Sequence, residues 1–293
     1  MRFMWKGHDL YIDDNLAKKL NTLVYNVKND WDFLILITGN RMVRVGKSVL
    51  AFVVAAYLAY QLDRLNLNHD AFSIKNICFS GKTLFTEAQK RRQYSIMMYD
   101  EGNEALAKSK HFSNLQRDLI DFFVECGQLN HFFIIVAPDF FDLKEDIAVA
   151  RSELLINVSV SNTTKMDSKS LGEVYFFKRG RFDLYNRDRK ARLYDYFRKR
   201  RDKNYKAVYP EFHGVFTNQY PFDEFEYKRL KKDSLERFNA RHAADKSKSR
   251  RDEALHKALT RLSADGMTNI EIAEAIDYSD KQVGRILNAK AKD

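Results

Sequence analysis

Two short motifs hold the residues best suited to chemistry in this sequence: Gly46-Lys47-Ser48 and, about fifty residues later, Asp100-Glu101. A lysine and a small hydroxyl residue directly after a glycine, at the point where a helix begins, suit a polyphosphate. Backbone N–H groups of the loop and helix start can cradle phosphate oxygens. Lys47 would reach the β- and γ-phosphates as a point charge, and Ser48 would offer its hydroxyl to Mg²⁺. Asp100 closes an apolar run, Ile96 to Tyr99, and at the end of a buried strand it would hold the metal, directly or through water. Glu101 would orient and deprotonate an attacking water.

The loop itself departs from the usual spacing. Four residues normally separate its two glycines, but position 41 is arginine and the preceding glycine is Gly39. Asn40 tolerates left-handed backbone and could stand in for part of that role. The candidate phosphate cradle is therefore Gly39, Asn40, Arg44, Val45, Gly46, Lys47, Ser48 and Val49, with Ser48 and Asp100 on the metal and Glu101 and Lys47 acting in hydrolysis.

Positioning these groups requires a layered α/β core. Residues 32–38 form an apolar run consistent with a buried parallel strand, and 46–64 read as a helix with a largely apolar surface. Further strands are expected at 75–80, 94–99, 131–137 and 154–160, with helices at 15–27, 82–92 and 114–127. Strands alternating with helices imply a parallel sheet covered on both faces. The amine of Lys47 and the carboxylates at 100 and 101 are expected to converge at the top of adjacent strands. His131 suggests no role beyond solvation or capping.

Trp31 to Gly39, Gly46 to Ala51, Tyr99 to Glu104 and Asn130 to Pro138 together resemble the zonular-occludens-toxin-like group of FtsK/HerA-type ATPases, found in viruses, plasmids and other mobile elements. The resemblance spans roughly residues 30–160. It implies a RecA-like P-loop core, ATP and Mg²⁺ as ligands, assembly of copies into a ring, and ATP-driven movement of DNA. It also points to Arg151, just before the last strand, as an arginine finger for a neighbouring subunit. Pro138 departs from the pattern, since related motors often carry a polar residue there.

The bulk numbers fit a polyanion as partner. Net charge is +10, and from residue 178 to 206 thirteen Lys/Arg face four Asp. Residues 172–185 read as a hairpin turning at Arg179-Gly180, and 228–251 as a basic helix running into a linker at 245–251. Residues 252–289 regain helical periodicity. Capping boxes at Thr268/Glu271 and Ser279/Gln282 would open two short helices in the manner of a helix-turn-helix, with Ile270, Ile272, Ala273, Ile276, Val283, Ile286 and Leu287 as its small core. Lys281, Gln282, Arg285 and Asn288 would face the DNA, and Gln282 and Arg285 have the donors to read base edges.

The expected division is an ATPase core over 1–170, a basic hairpin and helical extension over 171–244, a linker over 245–251 and a DNA-binding tail over 252–293. Cys78 and Cys126 lack metal-binding spacing and read as reduced, buried thiols. The longest apolar run, residues 49–62, is too short to span a bilayer. A cytoplasmic setting follows, the host's if the chain is viral. A DNA motor of a mobile element is the leading expectation; a nucleotide-regulated DNA-binding switch and a helicase-loader or transposition ATPase are the alternatives.

Overall fold

The computed structural model describes residues 1–39, 45–100, 106, 114–159, 180–276 and 278–288. Two compact units divide the chain, Met1–Tyr227 and Lys228–Asp293.

The first unit opens with a hairpin of β1 (Arg2–Trp5) and β2 (His8–Tyr11), joined through Lys6 and Gly7 at φ 45° and 85°. Positive φ at both turn residues gives the primed geometry that matches strand twist, which glycine adopts without strain. Helix α1 (Asp14–Val27) follows, capped by Asp13, whose carboxylate accepts from the N–H groups of Asn15 and Leu16.

Strand β3 (Phe33–Thr38) is buried along its whole length. Helix α2 (Lys47–Arg64) comes next and is buried continuously from Val49 to Ala59. Then follow β4 (Ile77–Cys78), α3 (Gly81–Lys90), β5 (Ile96–Tyr99), α4 (Asn114–Glu125), β6 (Phe132–Val136), β7 (Leu154–Ser159), β8 (Gly180–Tyr185), α5 (Arg187–Arg200) and β9 (Phe212–Phe216). The seven sheet strands run in the order β4-β5-β6-β3-β7-β8-β9. The first five are mutually parallel, while β8 and β9 add an antiparallel edge.

Alternate residues of β3 feed two cores, one on each face of the sheet. Phe33, Ile35 and Ile37 join residues of α1 and α2, whereas Leu34 and Leu36 join residues of α3, α4 and α5. A strand with two apolar faces can be satisfied only between two layers, which is why its sequence shows no alternation.

Several expectations change here. The strand at 75–80 shrinks to two residues, because Ser73 and Asn76 form a capped 3₁₀ turn just before it. Gly180 is not at a hairpin turn; it opens β8 and pairs with Phe216 of β9. The expected partner arm at 172–179 lies outside the described residues. Strand β9 has no counterpart among the sequence expectations. It is held to β8 by two reciprocal pairs, with the Phe216 ring lying across Gly180 and the Phe182 ring across Gly214. A Cβ on either glycine would come within 2.2 Å of the facing ring.

Helix α6 (Glu224–Ala264) is continuous over 41 residues, so 245–251 is helix and not a linker. Lysine, arginine and alanine are good helix formers, and a run of charge does not break a helix by itself. In the second unit α6 is followed by α7 (Asn269–Ile276) and α8 (Asp280–Asn288). Leu259, Ile272, Ala273 and Val283 form its buried centre. Ile270, expected in that centre, is 62% exposed.

Candidate functional site

Strands β3 and β5 both end at the same edge of the sheet, since parallel pairing through β6 gives them one direction. They are not neighbours: β6 lies between them. The adjacency expected from the sequence is therefore corrected. A strand order is set by packing of the intervening helices and leaves no mark on local sequence. The convergence itself does not depend on adjacency. Ser48, in the first turn of α2, donates its hydroxyl to Asp100 Oδ1 at 3.0 Å.

Asp100 is 1% exposed and follows directly on β5. Its backbone N–H donates to the carbonyl of Cys78 at 2.9 Å, which extends the β4–β5 pairing by one residue and fixes the carboxylate at the sheet edge. Its second oxygen, Oδ2, accepts from the phenol of Tyr227 at 2.5 Å. Tyr227 belongs to the first turn of α6, 127 residues away in sequence. Charge-assisted bonds of this kind are the strong ones, and both carboxylate oxygens are engaged at once.

The start of α2 is shaped by two glycines. Gly46 caps the helix at φ 91°, where a side chain is strained, and a Cβ there would come within 2.9 Å of the Phe216 ring. Gly39, just past β3, lies beneath the Lys47 stem: a Cβ at 39 would stand 2.9 Å from Lys47 Cδ and 3.0 Å from Val45 Cγ2. The lysine side chain thus folds back toward the end of β3, and Gly39 leaves it room. Val45 and Val49 are buried, which anchors the loop exit and the first turn of α2 in the core. Asn40, Arg44 and Glu101 lie outside the described residues.

A second polar knot lies at the ends of β3, β6 and β7. Tyr205 accepts from the Phe140 N–H at 2.9 Å and donates to Asp139 Oδ1 at 2.8 Å. Thr38 donates to Asn157 Oδ1 at 3.4 Å, and Lys203 ion-pairs with both Asp139 and Asp142. Burial, reinforced by the charge of Asp139, pushes the Tyr205 phenol well above its ordinary value. Asp139, adjacent to Pro138, is a 1% exposed carboxylate that no sequence motif singles out.

Arg151, expected to act on a neighbouring subunit's site, lies at the opposite edge of the sheet from the site of its own chain. It precedes β7, at the edge of the sheet where β3 begins, whereas Ser48 and Asp100 lie where β3 and β5 end. Its guanidinium ion-pairs with Asp32, and Nε donates to the carbonyl of Phe123 at 2.5 Å. The π-helical turn that carries it, Asp146–Arg151, is held by the fully buried Lys190, which donates to the carbonyls of Ala148 and Val149 at 3.2 and 2.6 Å. Burial lowers the Lys190 amine to about 8. His131, expected to do no more than solvate or cap, is fully buried. Its Nδ1 accepts from the Ser95 N–H and its Nε2 donates to the Ala88 carbonyl.

In the second unit both capping boxes form. Thr268 and Glu271 exchange bonds at 2.7 and 3.4 Å, and Ser279 and Gln282 at 2.9 and 3.3 Å. Lys281, Gln282, Arg285 and Asn288 are all exposed on α8. The Oε1 of Gln282 is taken by the N–H and hydroxyl of Ser279, so only its amide nitrogen is left for another partner. The cap uses the carbonyl oxygen of Gln282, not the amide donor that the sequence reading assigned to a base edge.

Among the described residues no helix is long and apolar enough to cross a membrane. No protein-family model matches the chain, and no curated protein does. Solved structures do. The genome packaging NTPase B204 from Sulfolobus turreted icosahedral virus 2, in complex with AMPPCP, is similar at 12% identity, covering 55% of this chain and 94% of that one, with a TM-score of 0.33. The same NTPase with ATP-gammaS matches at 11% identity over the same shares, with a TM-score of 0.32. The B204 DNA-packaging ATPase from Sulfolobus Turreted Icosahedral Virus matches at 10% identity over 54% of this chain and 94% of that one, with a TM-score of 0.31.

Proposed function

We propose that the first unit binds and hydrolyses ATP with Mg²⁺, and that the chain uses this cycle to handle DNA. The observation that carries the reading is the bond between Ser48 and Asp100. A hydroxyl and a buried carboxylate, 52 positions apart, meet at the sheet edge beside a lysine that begins a helix. A buried carboxylate held this way has a cost that a structural role alone does not explain well.

The oxygen set fits a hard divalent cation. Mg²⁺ is commonly held by one or two protein oxygens together with substrate phosphates, not by an all-protein cage. Among the described residues no group of three or more His, Cys, Asp or Glu forms such a cage. Ser48 and Asp100 would hold the ion, and it would neutralise charge developing on the phosphate oxygens. Lys47, with its stem across Gly39, would meet the outer phosphates. Backbone N–H groups at the start of α2 would meet the remaining oxygens. Glu101, next in sequence to Asp100, is the proposed residue that orients the attacking water.

The exposed Lys281, Gln282, Arg285 and Asn288 of α8 supply the proposed DNA contact, read as the second helix of a helix-turn-helix with its early residues in the major groove. Movement of DNA within a mobile element or virus is the process this combination suits. Turnover measured with and without duplex DNA tests the reading. Stimulation by DNA that disappears in Glu101→Gln, with nucleotide binding abolished in Lys47→Ala, is the expected pattern. Nucleotide affinity untouched in Lys47→Ala would remove the site assignment. Tight ATP-dependent DNA binding without turnover would favour a switch over a motor.

A further inference from the structure

The phenol of Tyr227 is a partner of Asp100 that the two motifs do not foretell. Its hydroxyl donates to Asp100 Oδ2 while Ser48 donates to Oδ1, so the carboxylate is held from both sides. The ring is 6% exposed and fixed by aromatic neighbours: Phe52 at 4.8 Å edge-on, Phe79 at 6.1 Å and Phe222 at 6.4 Å between centroids. Phe52 lies one turn beyond Ser48 on α2, and Phe79 directly follows β4. The phenol therefore rests on the same two elements that frame the carboxylate. Packing alone needs only the ring. A phenylalanine would fill this box, and what tyrosine adds is a donor aimed at Asp100.

We propose that Tyr227 is the positioning residue for Asp100, setting the affinity for the magnesium–nucleotide complex and making occupancy of the site felt at the root of α6. The proposal rests on the nucleotide reading above. By holding Oδ2, the phenol leaves Oδ1, the oxygen that Ser48 reaches, as the one turned toward a metal ion. Tyr227 sits in the first turn of α6, the helix that continues from the first unit into the second. A change in that bond acts on the backbone at residues 224–228 before it acts anywhere else on the helix.

The experiment uses the full chain and the binding of a fluorescent, non-hydrolysable ATP analogue, titrated with Mg²⁺. Tyr227→Phe keeps the ring and removes the donor. It is expected to raise the Mg²⁺ midpoint about tenfold, the ratio that one charge-assisted hydrogen bond can supply, while metal-free analogue affinity stays as in the parent. Phe222→Leu loosens the aromatic box and leaves the hydroxyl; it is expected to lower the melting temperature without moving the Mg²⁺ midpoint. Hydrogen exchange at 224–230 is expected to change when Mg²⁺ and analogue are added to the parent chain, and not in Tyr227→Phe.

An unmoved midpoint in Tyr227→Phe, or an equal shift in Phe222→Leu, overturns the proposal. So does the same exchange response in both chains. These outcomes leave the nucleotide site standing, provided that the parent binds the analogue and Lys47→Ala does not. A parent chain that binds no nucleotide at all overturns both.

Discussion

At the site, single atoms decide what each residue can do. Gly39 has no side chain because the Lys47 stem lies where one would be. A methyl group there meets the flexible stem of the lysine and, at 3.0 Å, Cγ2 of the buried Val45, so the lysine must shift and the valine must give slightly. Gly39→Ala is expected to weaken nucleotide binding several-fold, on the order of 1 kcal/mol, with only a small loss of melting temperature from the crowding of Val45. Calorimetric titration beside a thermal melt checks this, and a large fall in melting temperature with unchanged affinity would contradict it. Arg151 belongs to a different account. Its pairing with Asp32 fastens the turn before β7 to the start of β3. Arg151→Ala is expected to cost about 3 kcal/mol, at the low end for buried pairs because both partners retain some exposure. Urea unfolding measures it, and a loss of turnover without a loss of stability would favour the expected role toward a neighbouring subunit. Lys47, Ser48 and Asp100 can be picked out by type and position. Tyr227 cannot, since nothing in the spacing of a tyrosine 127 residues from an aspartate announces their contact.

Elements are legible where local sequence sets them. The apolar run before Gly39 and the one before Asp100 form β3 and β5, and the turn residues bounding them do the rest. Pairing is less legible. β6 stands between β3 and β5, and β9, of five residues with a glycine at its centre, carries too weak an alternation to be read alone. The basic stretch within α6 reads as a linker only when charge is weighed above helix propensity. At this scale His131 makes a pH-dependent joint, tying the α3 carbonyl of Ala88 to the backbone of Ser95 ahead of β5. Its Nδ1 faces an N–H donor and must stay unprotonated, and burial lowers its pKa from the ordinary 6.5. Below that value the unfolded chain binds a proton that the folded chain refuses. The contribution to stability is therefore complete above about pH 6.5 and drains away as pH falls below it. Urea midpoints at pH 7.5 and 5.5 should differ more in the parent than in His131→Gln; equal differences would assign the slope to carboxylates.

Across the whole molecule, a basic chain with net charge +10 divides into an α/β unit and a small helical one. Among its described residues the second unit is built around four buried side chains, and α8 presents the exposed Lys281 and Arg285. If those cations meet phosphate, Lys281→Ala with Arg285→Ala should weaken duplex binding and reduce the salt slope of log affinity by roughly 2, close to one for each phosphate that is no longer neutralised. Nucleotide affinity in the first unit should be untouched. Fluorescence anisotropy over a salt series reads both, and an unchanged slope would move the DNA contact elsewhere, with the basic segment around α5 the next place to look.

The burial of α2 limits how any such machine can run. From Val49 to Ala59 this helix has no residue that faces solvent. To slide or roll, it would have to exchange one complete set of packed neighbours for another, and close-packed interiors resist that. It is an anvil and not a lever. If the proposed hydrolysis takes place at its N-terminus, its work would have to leave through groups that grip the reacting atoms from outside the helix.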